Sequence, residues 1–283
     1  MTKTLSTGLG DETLLANDED VAPESDGRQT TLLTVERALK LLRAIVFEQS
    51  LSVREAARVT GTSASSAFRL LRTLEQEDFI ERDAGTGRFR PGPELRRMVA
   101  HILGSNDVRR SALEPMRRLA AEWQETTTLC LRTADDRKLN FDQVASPRTV
   151  QCVLPLGHVT PLNVGSSGRA ILAYMKPEEI DRVLSGRLEA RTRNTMVDPA
   201  AIREDLERIR QRGYAVSFGE GHEADMAGIT APIFDARGTV IGGLLVSVPS
   251  NRVTDRAELD KIGISVRQAA DEVSLGLGWM PRP

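Results

Sequence analysis

Cysteine is nearly absent: Cys130 and Cys152 are the only two in 283 residues. A pair so far apart supports neither a disulfide framework nor a zinc cluster, and both read as small core residues. Histidine is almost as scarce, with His101, His158 and His222 in unlike contexts. No helical or hairpin spacing pairs them, so a metal site built from them with Asp225 or Cys152 is not expected. Nothing orients Cys152 and His158 as a nucleophile and its base. No apolar run approaches the roughly 18 to 20 residues that span a bilayer, and the first residues show no basic stretch leading into a greasy one. The expectation is a cytoplasmic chain without cofactor, metal or membrane partner.

Net charge is also small, −2 overall, which looks unsuited to a polyanion partner until it is divided along the chain. Residues 1–29 hold seven acids (Asp11, Glu12, Asp18, Glu19, Asp20, Glu24, Asp26) against Lys3 and Arg28, a local −5. They lack apolar periodicity and read as a disordered acidic tail. The remainder is about +3, and residues 30–92 carry ten bases against eight acids. Any nucleic-acid footprint there must come from placement of charge. Hydrophobic content of 40% with 28% charged residues is ordinary for a globular chain, and the length allows two domains with separate cores.

What is present is most informative at 62–76, TSASSAFRLLRTLEQ. Ala67, Leu70, Leu71 and Leu74 recur at i, i+3, i+4, i+7, one apolar helix face. The remaining faces hold Ser63, Ala64, Ser65, Ser66, Phe68, Arg69 and Arg72: a thin N-terminal end followed by two guanidinium groups. Such an end can approach base edges while the arginines reach phosphate or guanine. Upstream, Ser52 and Glu55 form a capping box for a helix burying Val53, Ala56 and Ala57, and Gly61 suits the left-handed residue that closes it. A helix from Thr34 is expected to bury Val35, Ala38, Leu39, Leu42, Ile45 and Val46. Downstream, 79–82 and 88–90 are strand-like around a two-glycine turn. Helix, turn, helix and a wing bearing Arg82, Arg88 and Arg90 make a winged helix. Ser65, Ser66, Arg69, Arg72 and, on the wing, Arg88 are the candidate DNA contacts.

After Pro91-Gly92-Pro93, the residues Leu95, Met98, Val99, Ile102 and Leu103 return at helical spacing, a linker helix over 93–108 whose stripe should pack on a second copy or on the wing domain. From 109 to 283 the pattern predicts a helix over 109–123, strands over 127–133, 139–145 and 150–154, a loop over 163–170 leading into a short helix over 171–175, and another short helix after Pro177. A helix capped by Asp198-Pro199 and closed by Gly213 follows. Strands over 214–218, 229–234 and 240–248 precede a last helix over 255–275. The class is α+β: an N-terminal winged helix-turn-helix, a linker helix, and a C-terminal GAF- or PAS-like antiparallel sheet with flanking helices. The glycine-flanked 165–168 stretch stands out, because successive backbone N–H groups at a helix start can hold a carboxylate.

In order and spacing, SVREAARVTG, RLLRTLEQEDFIERDAGTGRFRPGPEL, SPRTVQ, GSSGRAILAYM, QRGYAVSFGE and APIFDARGTVIGGLLVS resemble the IclR family of bacterial transcription factors, from about residue 32 to 277. The resemblance implies a winged helix that binds double-stranded operator DNA as a dimer or dimer of dimers, and a C-terminal domain that binds a small, often anionic metabolite and shifts the DNA-binding heads. Arg69 matches the family's arginine before Leu-Leu, whereas Ala64 stands where the family often has Lys. Family ligands lie against the positions of Ser166 and Ser167, and by position the further effector contacts fall on Ser217, Gly228, Leu245 and Ser247. Where small-acid sensors of the family often have Asp, Cys and Ser, this chain has Ser217, Gly228 and Leu245. The expectation is therefore a larger or more apolar carboxylate, aromatic or medium-chain. Two readings compete with the ligand-controlled regulator: a protein-interaction adaptor, and a metabolite-processing enzyme fused to a helix-turn-helix. The enzyme reading lacks a general base among the mapped positions.

Overall fold

The computed structural model describes residues 32–105, 107–221, 225–253 and 255–280. The expected acidic tail, His222 and the side chains of His101, Ile102 and Leu103 lie outside what it describes. Two compact units, Met1–Met98 and Val99–Pro283, divide within the helix that follows the wing.

In the first unit, α1 (Leu33–Glu48), α2 (Val53–Thr60) and α3 (Ala64–Gln76) precede β1 (Ile80–Arg82) and β2 (Phe89–Pro91). The capping box forms: Ser52 Oγ accepts from Glu55 N–H and Glu55 accepts from Ser52 N–H at 2.7 Å. Such a cap contributes about 1 kcal/mol. Gly61 takes φ 64° and turns α2 into α3, whose N-cap is Ser63. Leu41, Ile45, Ala56, Ala67, Leu71, Ile80 and Phe89 form the core. The wing strands pair antiparallel from Ile80↔Pro91 to Arg82↔Phe89, and Leu51 bridges to Phe89.

Helix α1 departs from expectation. It begins at Leu33 with no side-chain cap from Thr34. It buries Leu41 and Ile45, while Val35 (52%), Leu39 (55%) and Val46 (36%) are exposed. Of the expected set Ile45 is buried and Leu42 packs on the core, while Val35, Leu39 and Val46 belong to a second, exposed apolar face. Helix α4 (Pro93–Ser105) follows with Pro93 at its first position.

The second unit contains α5 (Asp107–Trp123), β3 (Thr126–Arg132), β4 (Arg137–Val144), β5 (Val159–Pro161), α6 (Gly165–Leu172), α7 (Pro177–Ser185), α8 (Pro199–Arg212), β6 (Ala215–Phe218), β7 (Met226–Phe234), β8 (Val240–Pro249) and α9 (Arg256–Gly276). The strands form one antiparallel sheet in the order β5-β4-β3-β8-β7-β6. One face carries Leu129, Ile229, Ala231, Ile233, Leu244 and Val246 and is covered by α5 and α9. The opposite face meets α6, which packs with α7 and α8 in a separate cluster. Two expectations are corrected. Residues 150–154 form no strand, and the third strand is β5, laid on β4 from Arg137↔Pro161 to Leu139↔Val159. The stretch 165–170 is not a loop but the body of α6. No helix among the described residues is long and apolar enough to cross a membrane.

Candidate functional site

The outer side of α3 is built as its sequence suggests. Ser63 Oγ accepts from Ser66 N–H at 3.2 Å and fixes the helix start, leaving Ser65, Ser66, Arg69 and Arg72 exposed. Ser66 and Arg69 share a groove of about 280 Å³ with Thr34, Arg37, Thr62 and Thr73. Arg37 was missed by sequence reasoning; its Nε is buried without a hydrogen-bond partner among the described residues. Arg72 leans on Glu75 at 2.8 Å and stays half exposed.

Arg88 behaves differently from the expectation of a wing contact. Its guanidinium donates to Glu55 Oε2 at 2.8 Å, to Ser50 Oγ at 3.0 Å and to Ser50 O at 3.2 Å. It bonds the same Glu55 oxygen, Oε2, that accepts from Ser52 in the α2 cap. The Ser52 hydrogen bonds, helped by Arg88, hold the Glu55 carboxyl below its ordinary value. Arg90 pairs with Glu81 at 3.0 Å, and Arg82 stacks over Phe89 at 5.8 Å.

The second site lies where α6 begins, against the sheet. Gly165 has φ +72°, and a Cβ on Gly168 would lie 2.4 Å from the Leu162 carbonyl oxygen, so only glycine lets α6 pack this closely. All eight residues of α6 are buried. Beside its first turn is a cavity of about 40 Å³. Of the six candidate effector residues, Ser166, Ser167, Ser217, Gly228 and Leu245 line it and Ser247 does not. Ser247 faces Gly228 across the β7–β8 ladder and is fully buried, its Oγ without a partner among the described residues.

Sequence reasoning expected Gly228 to enlarge this cavity. A Cβ there would meet Ser166 Oγ at 2.6 Å, Ser217 Oγ at 3.1 Å and Leu245 Cδ1 at 3.3 Å. The vacated volume is thus already filled, mostly by Ser166, whose hydroxyl sits 2.8 Å from Thr230 Oγ1. The walls are also more polar than expected, since Lys138, Thr160, Arg191 and Glu220 line the cavity as well. At the sheet, Cys130 is buried and its thiol is pushed up by burial, an effect opposed by the Lys138 charge and a hydrogen bond with Ser167. Arg169, one residue past Gly168, is 1% exposed. It donates to Asp205 Oδ2 at 2.7 Å, to Val216 O at 3.0 Å and to both Glu220 oxygens. Burial works against that guanidinium's charge, but the Glu220 and Asp205 carboxylates outweigh it and hold its pKa above the ordinary value. The triad ties α6 to α8, β6 and the segment after β6. Among the described residues no group of His, Cys, Asp and Glu is placed to hold a metal ion.

This architecture matches known proteins along most of its length. Residues 100–275 match the model of the bacterial transcriptional regulator IclR C-terminal domain, and residues 34–84 match the IclR helix-turn-helix domain. The HTH-type transcriptional regulator BhcR of Paracoccus denitrificans is 33% identical over 244 residues, 86% of each chain. The transcriptional repressor IclR of Escherichia coli is 30% identical over 247 residues, 86% of this chain and 89% of that one. Among solved structures, Thermotoga maritima IclR superposes with a TM-score of 0.74 at 27% identity, covering 88% of this chain and 100% of its own. An IclR homolog from Microbacterium hydrocarbonoxydans, complexed with 4-hydroxybenzoate, gives 0.75 at 25% identity, covering 86% and 98%.

Proposed function

The chain belongs to the IclR family of bacterial transcriptional regulators, and from that premise we propose that it acts as a homodimer which reads operator DNA with α3 and is controlled by a small carboxylate bound at the start of α6. Its relatives are transcriptional regulators, not enzymes, so the regulator reading holds over the enzyme and adaptor alternatives. DNA recognition is assigned to Ser65, Ser66 and Arg69, with Arg72 as a phosphate contact. Arg88 is assigned to holding the wing on α2.

The observation that carries the effector reading is the cavity against the first turn of α6, where backbone N–H groups and the helix dipole favour an anion. Crystallisation of the Microbacterium relative with an aromatic acid supports an acid ligand. Ser166 fills the space that Gly228 vacates, so the glycine by itself does not argue for an aromatic or medium-chain acid. The dimer is supported by the start of α1, where Leu32 at the N-cap and Val35, Leu39 and Val46 in the helix are exposed at steps of three, four and seven residues, one helix face.

The test is calorimetric titration of the full chain with glyoxylate, pyruvate, lactate, malonate and 4-hydroxybenzoate, repeated on Gly228→Ala, whose added Cβ would close on Ser166 Oγ. At least one acid of this panel should bind the parent protein and fail to bind the variant. Unchanged binding to the variant, or no acid binding to the parent, overturns the assignment.

A further inference from the structure

Lys138 is a lysine where the fold gives little reason for one. It lies in β4 with 6% of its surface exposed, and it is paired across the ladder with Thr160 of β5. Its ammonium donates to Asn140 Oδ1 at 3.0 Å. Among the described residues no carboxylate lies within ion-pair distance of it. The carboxylate that lines the same cavity, Glu220, is taken by Arg169. A buried cation is costly unless paired, and this one is supported by a single amide oxygen. That amide is itself committed, its Nδ2 donating to Pro155 O at 3.1 Å.

A second polar group shares the deficit. Thr160 is 3% exposed, lines the same cavity and has an Oγ1 without a hydrogen-bond partner among the described residues. The strand order puts Lys138 and Thr160 at the β4–β5 end of the cavity and Ser217 with Gly228 at the β6–β7 end. The β4–β5 end offers the Lys138 ammonium and the Thr160 hydroxyl, while the other charges lining the cavity are already paired, Glu220 with Arg169 and Arg191 with Glu189 at 3.2 Å. Ser167 reaches the Lys138 end, because both it and the Lys138 charge act on Cys130.

We propose that Lys138 is the specificity-determining residue of this cavity: its ammonium takes the effector's carboxylate at the β4–β5 end, with Thr160 and the first turn of α6 completing the anion's hydrogen bonds. The inference rests on the acid-effector reading and adds the orientation of the ligand and the requirement for its charge. Uncharged molecules of the same shape leave the ammonium unpaired and are rejected, while the neutral end of the ligand faces Ser166 and Ser217.

The experiment compares full-length protein with Lys138→Met and Lys138→Arg. Thermal unfolding is measured without ligand, and binding is measured for the tightest acid of the panel above and for its uncharged amide. A charge-assisted hydrogen bond corresponds to about ten- to a hundredfold in affinity. Lys138→Met should lose that factor for the acid, bind the amide as the parent does, and melt no lower than the parent. Lys138→Arg should recover part of the acid affinity. Parent-like acid binding by Lys138→Met, with the parent itself binding the acid, overturns this inference and leaves the effector reading standing. A lowered melting temperature with acid and amide affected alike assigns Lys138 a structural role and overturns it too. Failure of the parent to bind any acid overturns both.

Discussion

The Arg169 triad allows the firmest quantitative expectation. Replacing Arg169 by Met keeps much of the side chain's volume and removes the cation, stranding Asp205 and Glu220, which are 6% and 8% exposed. Breaking a buried pair by removing one partner costs about 3–5 kcal/mol. Asp205 keeps a longer contact to Arg208 at 3.4 Å, so the penalty falls chiefly on Glu220. For a domain of this size each kcal/mol lowers the melting temperature by roughly 2–4 °C, which gives a fall of about 6–20 °C by scanning calorimetry. The control is the triple variant Arg169→Met, Asp205→Asn, Glu220→Gln, in which no charge is left unpaired. It should recover most of the loss, since neutral replacement of a buried ionic group is often nearly cost-free. A single variant that melts within about 2 °C of the parent, or a triple variant no better than the single one, would show that charge pairing does not hold this segment.

Two further outcomes separate roles within each unit. On an operator fragment obtained by in vitro selection, Arg72→Ala, at the assigned phosphate contact, should reduce the slope of log affinity against log salt by about 0.9. Arg88→Ala should leave that slope intact and lower the melting temperature, because its bonds go to Ser50 and Glu55; the reverse pattern would exchange their assignments. Tyr214 is buried and donates to Asp260 Oδ1 at 2.7 Å; burial first, then Asp260, push its phenol up to about 12. The unfolded chain gives up that proton near pH 10 while the native state retains it. Stability should therefore fall between about pH 10 and 12, and Tyr214→Phe should flatten that part of the profile. A parent and variant with superimposable alkaline melting curves would refute the linkage.

Local chemistry made much of the fold readable. The Ser52–Glu55 box, the left-handed Gly61 and Gly213, and the Asp198-Pro199 start all act within a few residues and all form as written. Where reading failed, the deciding contacts were distant. Residues 150–154 have the residue types of a strand, but β4 pairs instead with β5, and no property of the segment itself reports which neighbour wins the ladder. On α1, periodicity identifies apolar faces without saying which meets the core. Leu41 and Ile45 are covered by α2, α3 and the wing, while the seam of Leu32, Val35, Leu39 and Val46 is left for another surface.

The cavity shows the same division from the other side. Its helix start was legible because glycines and serines announce exposed N–H groups. Its cation was not, because a lysine in a strand is ordinarily a solvated residue. A signal was nonetheless available. In β4, Lys138 and Asn140 alternate with Leu139 and Phe141 and are buried on a strand paired along both edges. Phe141 packs on the cluster under α5 and α9, and past the bulge opposite Leu129 and Cys130 Asp142 turns to Arg109 of α5 at 2.7 Å, so Lys138 and Asn140 must look into something that satisfies them. An interior strand that alternates polar and apolar residues therefore points to a lined cavity beneath a helix, and its most buried charge, here Lys138, is the first place to look for what the cavity holds.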